Sequence, residues 1–443
     1  MIALIQAGGA GTRLKDITGD LPKPMVPING KPILQWQIEN LVRYGVSKAI
    51  IVAPKSSTAI QDYFGDGEKF GLKIEYIVEE TPLGTGGALY YAAKMIREDF
   101  ILCFGDLMID VDWKRFFAFH KAHNSVITTF VHPNGHPYDS DVLVLTPFDR
   151  VFKMLSKKEP RDFYYKNITN AGLYIVSKVL LDSFRMMDGP EKLDFEKDLL
   201  APTIANGLAY AYRSSEYVKD CGTPDRYYSV TNDSKNGIIA QKNLGNPQKC
   251  IFLDRDGVLN QFGNFVVKSD MLHLREEAPE QVKRINESDF LAICITNQPV
   301  VARGETTLEE LDNIHNKLET LLGEKGAFLN DLFYCPHHPD KGFEGERPEY
   351  KIDCDCRKPK IGMLLKAKEK YNIDFSASWF IGDTCQDVQT GINAGTRTIL
   401  LTCGDPSPYK KYGDAKPDYV CSTLKEAIDI ILATEEKERK SKA

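Results

Sequence analysis

Two segments of the chain have the same form: a short apolar run that leads directly into a turn rich in glycine or aspartate. The first is IALIQAGGAGTRL at the N-terminus, and the second is IFLDRDGVLN, which begins at Ile251. In open α/β sheets the turn after the first strand is a common place for a phosphate group to bind. The sequence therefore predicts two phosphate-binding domains in one polypeptide.

Length and composition agree with two globular domains. The chain has 443 residues, which is more than a single hydrophobic core usually supports. Its hydrophobic fraction of 42% and charged fraction of 27% are ordinary for folded protein. The formal net charge is −6, and the only basic run lies in the C-terminal TEEKERKSKA, which argues against a nucleic-acid partner. No feature indicates a protein partner.

The N-terminal apolar run is not expected to be a signal peptide, because no basic segment precedes it and glycines interrupt it at once. No stretch has the apolar length of a membrane-spanning helix. Of ten cysteines, seven are scattered and three are grouped with a histidine, which favours one metal site over a disulfide scaffold. We therefore expect a cytoplasmic protein without membrane contacts.

Apolar runs alternate with longer amphipathic stretches in both halves of the chain, which predicts α/β folds with crossover helices. These runs are Ile2–Ile5, Ala49–Ala53, Phe100–Phe104, Val126–Val131, Cys250–Leu253, Phe290–Ile295, Ser378–Ile381 and Thr398–Thr402. This alternation predicts two doubly wound domains, and the first is expected to have a mixed sheet. The polar segment NDSKNGIIAQKNLGNPQK has little apolar periodicity, so a linker is predicted at residues 232–248. The domains are then residues 1–231 and 249–433, followed by a charged tail at 434–443.

The first turn, QAGGAGTRLKDITGDLPKPM, matches neither of the common phosphate motifs. A Walker loop needs Lys-Ser/Thr after its last glycine, and Leu14 takes the place of the third glycine of the dinucleotide fingerprint. A flexible turn would explain the glycines alone. Unobstructed backbone N–H groups suit anionic oxygens, however, and Arg13 and Lys23 add positive charge. Asp106 in FGDLMID and Asp220 in VKDCGTPDRY could together hold Mg²⁺.

Taken in order, the motifs GGAGTRL, LPKPM, LGTGGAL, FGD, NAGLY and KDCGTPDRY resemble those of the sugar-phosphate nucleotidylyltransferases. The resemblance implies a Rossmann-like domain in which a sugar 1-phosphate attacks the α-phosphate of a nucleoside triphosphate and releases pyrophosphate. It implies nucleotide binding by Gly8, Gly9, Gly11, Thr12, Arg13, Gly84, Thr85 and Gly86. It implies sugar-phosphate binding by Lys23, Asn170, Glu196 and Lys197, and Mg²⁺ binding by Asp106 and Asp220.

Both reactants of this chemistry are anions, so Arg13 and Lys23 are predicted to be catalytic through positioning and neutralisation of charge. A second interpretation is open for Glu196 and Lys197, because an ordinary charged pair on a helix surface would have the same sequence.

The second turn places Asp254 and Asp256 two residues apart after a strand. If the strand geometry continues, both carboxylates project to the same side and Arg255 points away. A nucleophilic carboxylate beside an acid/base carboxylate can hydrolyse a phosphate monoester through an aspartyl-phosphate. A lone Asp-X-Asp is also common in solvated loops, so this motif by itself leaves both interpretations open.

Three later motifs resolve that ambiguity. LAICITNQ is an apolar strand that ends at Thr296, CDCRKPKIG contains Lys358, and SWFIGDTCQD ends a strand at Asp383. They supply the hydroxyl, the cation and the carboxylate that phosphoryl transfer with Mg²⁺ requires. In this order the motifs resemble those of haloacid dehalogenase superfamily phosphatases.

That resemblance implies that Asp254 is the nucleophile and Asp256 the acid/base. It implies phosphate or substrate binding by Thr296, Asn297, Arg303, Arg357 and Lys358. It also implies Mg²⁺ binding by Asp254, Asp383 and the backbone carbonyl of Asp256, with Asp387 as a supporting residue. For Arg303, a surface arginine without a substrate role is an equally open interpretation.

A second metal site is predicted in CPHHPDKGFEGERPEYKIDCDCRKP. Cys335, His337, Cys354 and Cys356 supply the four N/S ligands of a closed structural zinc site. Because Arg357 follows Cys356 directly, this zinc would also fix phosphate-binding residues. The loop resembles that of the D,D-heptose 1,7-bisphosphate phosphatases and their histidinol-phosphatase relatives.

Two departures leave the substrate of the second half open. Pro299 stands where the heptose branch usually has Ser or Gly, and Thr384 where it commonly has Lys. The first half most resembles guanylyltransferases that act on D-glycero-α-D-manno-heptose 1-phosphate or mannose 1-phosphate. A bisphosphate phosphatase yields the sugar 1-phosphate that such an enzyme consumes. The two resemblances together imply a bifunctional enzyme that makes GDP-heptose for a bacterial surface glycan.

Two alternatives remain. Another sugar phosphate, or ADP or CDP as the carrier, would suit the same motifs. A sugar-phosphate sensor with one inactive half would be expected to lack a catalytic carboxylate or a phosphate-binding cation, and none of those predicted here is missing.

Overall fold

The computed structural model describes residues 1–8, 17, 19, 21–55, 58–261, 263–402 and 415–442, except the side chain of residue 442. These residues form two compact units. Unit 1 comprises Met1–His132, Asp141–Ser156 and Ile168–Leu244, and unit 2 comprises Pro133–Ser140, Lys157–Asn167 and Gly245–Ala443. In the described part of the chain no helix is long and apolar enough to cross a bilayer.

Unit 1 is an α/β unit with a mixed sheet. Its strands are β1 (Ile2–Gln6), β2 (Pro27–Ile28), β3 (Lys31–Pro32), β4 (Lys48–Pro54), β5 (Lys73–Glu79), β6 (Phe100–Phe104), β7 (Leu107–Asp110), β8 (Ile127–His132), β9 (Val142–Leu145), β10 (Val151–Leu155), β11 (Thr169–Val176), β12 (Ala209–Arg213) and β13 (Tyr217–Asp220). Nine of them form one sheet, with the order β10-β9-β11-β6-β1-β4-β5 and with β8 paired to β11 and β12.

The helices of unit 1 cover both faces of this sheet and bury its apolar residues in two large clusters. They are α1 (Ile33–Arg43), α2 (Ala59–Phe64), α3 (Gly84–Gly87), α4 (Leu89–Met95), α5 (Trp113–Ala122), α6 (Lys178–Arg185), α7 (Ala201–Ala205), α8 (Pro224–Lys235) and α9 (Ile238–Gln241), with a π-helix at Phe195–Leu200. The strands β1, β4, β5 and β6 are parallel, so the carboxyl ends of these strands share one edge.

Unit 2 is built on a six-stranded parallel sheet. Its strands are β14 (Lys249–Leu253), β15 (Phe290–Asn297), β16 (Asp331–Cys335), β17 (Trp379–Gly382), β18 (Arg397–Leu401) and β19 (Tyr419–Cys421), and its helices are α10 (Ala278–Asn286), α11 (Leu308–Glu324), α12 (Gly362–Tyr371), α13 (Cys385–Ala394) and α14 (Leu424–Lys442). The order is β16-β15-β14-β17-β18-β19. Because β14 lies between β15 and β17, the residues that follow these three strands meet at one edge of the sheet.

Each of the eight apolar runs in the sequence is a strand whose ends lie within two residues of the prediction. The reason is burial: parallel strands covered on both faces contain little except apolar residues. The mixed sheet of the first unit and the α/β fold of the second unit are both confirmed.

The predicted linker and tail differ from the structure. Residues 232–241 belong mostly to α8 and α9, where Ile239 is buried, and the backbone N–H of Leu244 donates to the buried Glu216. Residues 434–442 continue α14, in which Glu435 pairs with Lys249 and Arg439 with Asp289. Polar composition suggested an irregular linker and a frayed, solvated helix end in the tail, whereas ion pairs and one apolar face stabilise helices at both places.

Unit 2 also contains two segments that come earlier in the sequence, 133–140 and 157–167. They pack on α11. The Asn167 N–H donates to Glu319 Oε2 at 2.8 Å, and the Tyr165 N–H donates to Thr320 Oγ1 at 3.0 Å. Nothing in the composition of these segments predicted where they pack.

Candidate active sites

In unit 1, strand pairing brings the two predicted metal-binding carboxylates to one place. Strands β7 and β13 are antiparallel, with Leu107 opposite Asp220. Asp106 directly precedes Leu107, so Asp106 and Asp220 lie at the same end of this pair. The Cys221 N–H donates to the carbonyl oxygen of Asp106 at 3.2 Å, which closes that end.

Two cations neutralise this pair of carboxylates. Lys23 Nζ lies 2.9 Å from Asp106 Oδ2, and Arg226 Nη1, from α8, lies 2.6 Å from Asp220 Oδ2. A Cβ atom on Gly222 would lie 2.8 Å from Asp220 Oδ1 and 3.3 Å from Lys23 Nζ, so this glycine leaves room for both groups. Carboxylate oxygens fit Mg²⁺. Arg226 was not among the residues predicted from the sequence.

The LGTGGAL segment packs closely on the chain around residue 193. Gly84 has a φ of +76°, and a Cβ there would lie 2.4 Å from the carbonyl oxygen of Leu193. Thr85 Oγ1 accepts from the Phe195 N–H at 2.8 Å, while Gln6 Nε2 donates to the Thr85 carbonyl at 3.1 Å. Close packing therefore explains the glycine at position 84 without the predicted contact with the nucleotide.

The structure brings Asn170 and Glu196 together and turns Lys197 away. Asn170 Nδ2 donates to Glu196 Oε1 at 2.7 Å and to the Tyr174 hydroxyl oxygen at 2.8 Å. The Tyr174 hydroxyl in turn donates to Glu196 Oε1 at 2.9 Å, and Thr129 Oγ1 donates to Asn170 Oδ1 at 2.7 Å. Lys197 is exposed on the π-helix, a form often found at functional sites.

Four predicted nucleotide-binding residues, Gly9, Gly11, Thr12 and Arg13, lie outside the described residues. The neighbouring Gly8 lies beside a carboxylate that the sequence analysis missed. A Cβ on Gly8 would lie 3.9 Å from Glu79 Oε2. Glu79 is buried, and within the described part of the chain its Oε1 has no hydrogen-bond partner. Burial raises the pKa of this carboxyl, partly opposed by a hydrogen bond from the Leu83 backbone.

In unit 2, Asp254 directly follows the central strand and contacts a buried lysine. Lys358 Nζ lies 2.9 Å from Asp254 Oδ1 and 2.5 Å from Asp387 Oδ1, and it donates to the carbonyl oxygen of Ile295 at 3.1 Å. Oxygen atoms of Asp254, Asp383 and Asp387 all lie within 4.8 Å of one another. This is the edge at which the carboxyl ends of β14, β15 and β17 meet.

Crowding of these carboxylates perturbs their titration. Burial, and then Asp387, raise the pKa of Asp383 to about 8. Burial also raises the pKa of Asp254 to about 7, although Lys358 opposes this. A divalent cation would offset the repulsion, so the donor set fits Mg²⁺.

Asp387 is held by its own helix. Its Oδ2 accepts from the Thr384 N–H at 3.1 Å and the Thr384 side chain accepts from the Asp387 N–H, which together make a capping box at the start of α13. Thr384 Oγ1 also lies 2.6 Å from Asp387 Oδ2. With Lys358 on the other oxygen, both carboxylate oxygens have protein partners, as a supporting residue requires. The departure at Thr384 therefore supplies a helix cap.

The Asp256 carboxylate is surrounded by donors. Arg255 Nη2 donates to Asp256 Oδ1 and Oδ2 at 2.9 and 2.8 Å, Asn260 Nδ2 donates to Oδ1 at 3.0 Å, and Gln298 Nε2 donates to Oδ2 at 2.9 Å. Burial opposes ionisation of Asp256, but Arg255 and these amides together lower its pKa. The prediction that Arg255 points away was wrong, because β14 ends at Leu253 and strand geometry does not continue.

The sequence analysis also missed Asn260 and Gln298. The position of Gln298 directly after Thr296 and Asn297 was a usable signal, and Gln298 Nε2 also donates to Thr296 Oγ1 at 2.9 Å. Asn297 Oδ1 accepts from the Lys358 N–H at 3.0 Å. Asn297 therefore ties the end of β15 to the loop that carries the lysine.

The two arginines predicted to bind the substrate both contact the segment that contains the predicted zinc ligands. The Arg303 guanidinium lies 4.9 Å from the ring centroid of Phe265 and 4.6 Å from that of Phe343. Arg357 Nη1 donates to the carbonyl oxygen of His337 at 3.1 Å. Burial, with Arg303 adding to it, lowers the pKa of Arg357, so the two cations are close enough to interact.

The predicted zinc ligands form one cluster. The Sγ atom of Cys356 lies 3.2 Å from each of the other two sulfurs, Cys335 and Cys354, and 3.4 Å from His337 Nδ1. Tetrahedral ligands about 2.3 Å from zinc would lie roughly 3.8 Å apart, so these atoms would move apart by about half an ångström to hold the ion. The three cysteines are free. The hydrogen bond between Cys335 and Cys356 lowers the pKa of the Cys356 thiol and raises that of the Cys335 thiol, so the two sulfurs share one proton.

Comparison with known proteins matches the two parts of the chain to different families. The Nucleotidyl transferase family matches residues 2–237, and the HAD-hydrolase-like family matches residues 355–427. A D-glycero-alpha-D-manno-heptose 1-phosphate guanylyltransferase from Campylobacter jejuni is 32% identical over 52% of this chain and 97% of its own length. A mannose-1-phosphate guanylyltransferase from Mycobacterium tuberculosis is also 32% identical, over 53% of this chain and 65% of its own length.

The second half has relatives of its own. A D-glycero-beta-D-manno-heptose-1,7-bisphosphate 7-phosphatase from Yersinia pestis is 34% identical over 42% of this chain and 95% of its own length. The relatives therefore cover the two halves separately, and the two sites described above lie one in each half. The chain belongs to the nucleotidyl transferase family through residues 2–237, fused to a second part that belongs to the haloacid dehalogenase-like phosphatases.

Proposed function

We propose that this protein makes a GDP-activated heptose in two consecutive reactions. Unit 2 hydrolyses the 7-phosphate of D-glycero-D-manno-heptose 1,7-bisphosphate, and unit 1 transfers GMP from GTP to the resulting heptose 1-phosphate. The order follows from the chemistry, because a nucleotidyltransferase needs the free 1-phosphate that the phosphatase leaves. The observation that carries the phosphatase assignment is the set of Asp254, Lys358, Asp383 and Asp387 at one sheet edge.

In unit 2, Asp254 attacks the phosphorus atom of the 7-phosphate, and the P–O bond to the sugar breaks. Asp256 gives its proton to the leaving oxygen and then takes one from the water that hydrolyses the aspartyl-phosphate. The lowered pKa favours the carboxylate form of Asp256 that acts as the base, and the proton given to the leaving oxygen is one that Asp256 binds from solvent before the phosphoryl transfer. Lys358 neutralises the transferring phosphoryl group. Mg²⁺ held by Asp254, Asp383 and the Asp256 carbonyl would add further neutralisation.

In unit 1, the 1-phosphate oxygen attacks the α-phosphate of GTP, and pyrophosphate leaves. Lys23 and Arg13 are assigned to the phosphates, and Asn170 with Glu196 to the sugar phosphate. Mg²⁺ between Asp106 and Asp220 would reduce repulsion between the two anions. A nucleoside triphosphate as substrate and thiols as zinc ligands both point to the cytoplasm as the compartment.

Glu79 supports guanine as the base. Guanine presents two adjacent donors on its pairing edge, N1–H and N2–H₂, which a carboxylate can accept together. Adenine, cytosine and uracil each present an acceptor there, which a carboxylate would repel. Glu79 Oε2 lies 3.9 Å from the position that a Cβ would take on Gly8, a residue proposed to bind the nucleotide, and Glu79 Oε1 has no partner among the described residues.

The anomer follows from the two reactions. Hydrolysis at C7 leaves C1 untouched, so both units must use the same anomer. The Campylobacter guanylyltransferase is named for the α-anomer and the Yersinia phosphatase for the β-anomer. For the reactions to be consecutive, unit 2 must accept the α-bisphosphate.

Phosphorus NMR tests the whole proposal. Purified protein with Mg²⁺, GTP and the α-bisphosphate should release orthophosphate first, then pyrophosphate, with a GDP-sugar diphosphate signal. The β-anomer, mannose 1-phosphate and the other nucleoside triphosphates serve as parallel arms. Release of phosphate without a nucleotide sugar from any triphosphate would overturn the assignment of unit 1, and absence of phosphate release would overturn that of unit 2.

A further inference from the structure

Behind the Asp256 carboxylate lies a buried pair of side chains with no role in the reaction as described. Arg255 is fully buried. One side of its guanidinium donates to Asp256, with Nε 3.1 Å from Oδ1 and Nη2 within 2.9 Å of both oxygens. On the other side, Nη1 lies 3.2 Å from His315 Nε2. Arg255 therefore bridges Asp256 and a histidine on α11.

His315 must accept this hydrogen bond, because a guanidinium has only donors. Its ring is therefore neutral, with the proton on Nδ1. Burial, and then the charges of Arg255 and Lys166, hold the pKa of His315 well below its usual range, in agreement with that tautomer. The ring packs 5.1 Å from that of Tyr334 on β16, so the acceptor is held in place from two elements.

We propose that Arg255 and His315 are positioning residues of the phosphatase, in which His315 fixes the guanidinium that aims Asp256 at the leaving oxygen of the substrate. This inference rests on the proposed function of unit 2. A planar guanidinium held at both ends cannot rotate about its long side chain, so the carboxylate it grips keeps one orientation. Without the histidine acceptor, one edge of the buried guanidinium loses its hydrogen-bond acceptor, and the guanidinium is free to rotate.

The leaving group separates positioning from general structural support. When the P–O bond to a sugar breaks, the alkoxide needs the proton that Asp256 supplies. When p-nitrophenyl phosphate reacts, p-nitrophenolate leaves with its negative charge and needs no proton. Asp256 also takes a proton from water when the aspartyl-phosphate is hydrolysed, and that step is common to both substrates. A misaimed Asp256 therefore slows formation of the aspartyl-phosphate selectively for the alkyl ester, whereas a distorted site slows this first step for both substrates.

The test compares the single-turnover rate of leaving-group release from the heptose bisphosphate and from p-nitrophenyl phosphate in the full chain with Mg²⁺, because this rate reports the first step alone. In His315→Leu we expect a loss of about tenfold or more with the sugar substrate and less than about threefold with the aryl substrate. His315→Gln keeps an acceptor and should stay within about twofold of the natural protein for both. His120→Gln, which changes a buried histidine in unit 1, is the matched control.

Arg255→Lys provides a second variant, because an ammonium keeps the charge but cannot form the two-oxygen fork. It should show the same selective loss. Equal losses with both substrates in His315→Leu and Arg255→Lys, or a glutamine variant as impaired as the leucine variant, would overturn the inference. If the natural protein hydrolyses neither substrate, the proposed function fails as well, so the two failures are distinguishable.

Discussion

Lys358 Nζ lies 2.9 Å from Asp254 Oδ1, and both side chains are buried at the edge where three parallel strands end. The lysine neutralises a carboxylate that burial alone would keep protonated near neutral pH. The same ammonium also contacts Asp387. One cation therefore supports the nucleophile and the helix cap together.

Lys358→Met should therefore damage both stability and activity. Two buried carboxylates lose their counter-charge, which costs on the order of 3–5 kcal/mol in the free energy of unfolding when one partner of a buried pair is removed. Phosphate release should fall by roughly 10²-fold or more. Denaturant unfolding and a phosphate assay measure the two effects.

A double variant separates these effects. Lys358→Met with Asp387→Asn removes one uncompensated charge and should recover part of the stability without recovering activity. Full activity in either variant would show that Lys358 has no role in phosphoryl transfer.

Glu79→Gln should change the base preference of unit 1. A glutamine presents one acceptor and one donor, which match the N3–H and carbonyl of uracil or thymine in place of guanine. We expect kcat/KM for GTP to fall by about tenfold to a hundredfold, and the ratio of UTP to GTP usage to rise. Pyrophosphate release with each triphosphate measures this, and an unchanged GTP preference would exclude Glu79 from base recognition.

Removal of one zinc ligand should impair the phosphatase alone. Cys354→Ala leaves three ligands, and the loop that carries Arg357 and Lys358 loses its anchor. Zinc content per chain should drop while GDP-sugar formation from a supplied heptose 1-phosphate continues. Chelated, metal-free protein that keeps its full phosphatase activity once Mg²⁺ is restored would contradict a structural role for this cluster.

Glu216 should make unit 1 less stable as the pH rises. Burial raises its pKa from 4.5 to about 7, although the N–H groups of Asp112 and Leu244 oppose the shift. The folded state thus holds more protons than the unfolded chain between these two values, so the free energy of unfolding falls across that window and is constant above it. Below about pH 4.5 the penalty is absent.

Glu216→Gln removes this titration and can keep the hydrogen bonds, with Oε1 facing the two N–H groups and Nε2 facing Ser214. Relative to the natural protein it should gain stability progressively from about pH 4.5 to about pH 7 and keep a constant gain above that, with an upper bound of roughly 3 kcal/mol. Denaturant unfolding at several pH values tests this. Glu191→Gln, an exposed counterpart, is the control, and a gain that does not depend on pH would contradict the assignment.

The sequence by itself determined the parts that depend on local pattern. Buried parallel strands must be apolar, so β1, β4, β6 and β14 could be located within two residues. Residues that follow such strands gather at one edge, which is why Asp254 and Asp383 could be assigned together. The zinc ligands were also readable, because all four come from one short stretch of chain.

Only the tertiary structure decided the contacts that join distant or irregular segments. The proximity of Asp106 and Asp220 depends on the pairing of two short antiparallel strands. The sequence of each strand does not specify which other strand it pairs with. The turn of Arg255 onto Asp256 depends on the strand ending at Leu253 and on an acceptor supplied by α11. The packing of segment 157–167 on that helix is equally non-local. Local pattern reports which face of an element is buried, and it carries no information about which element covers that face.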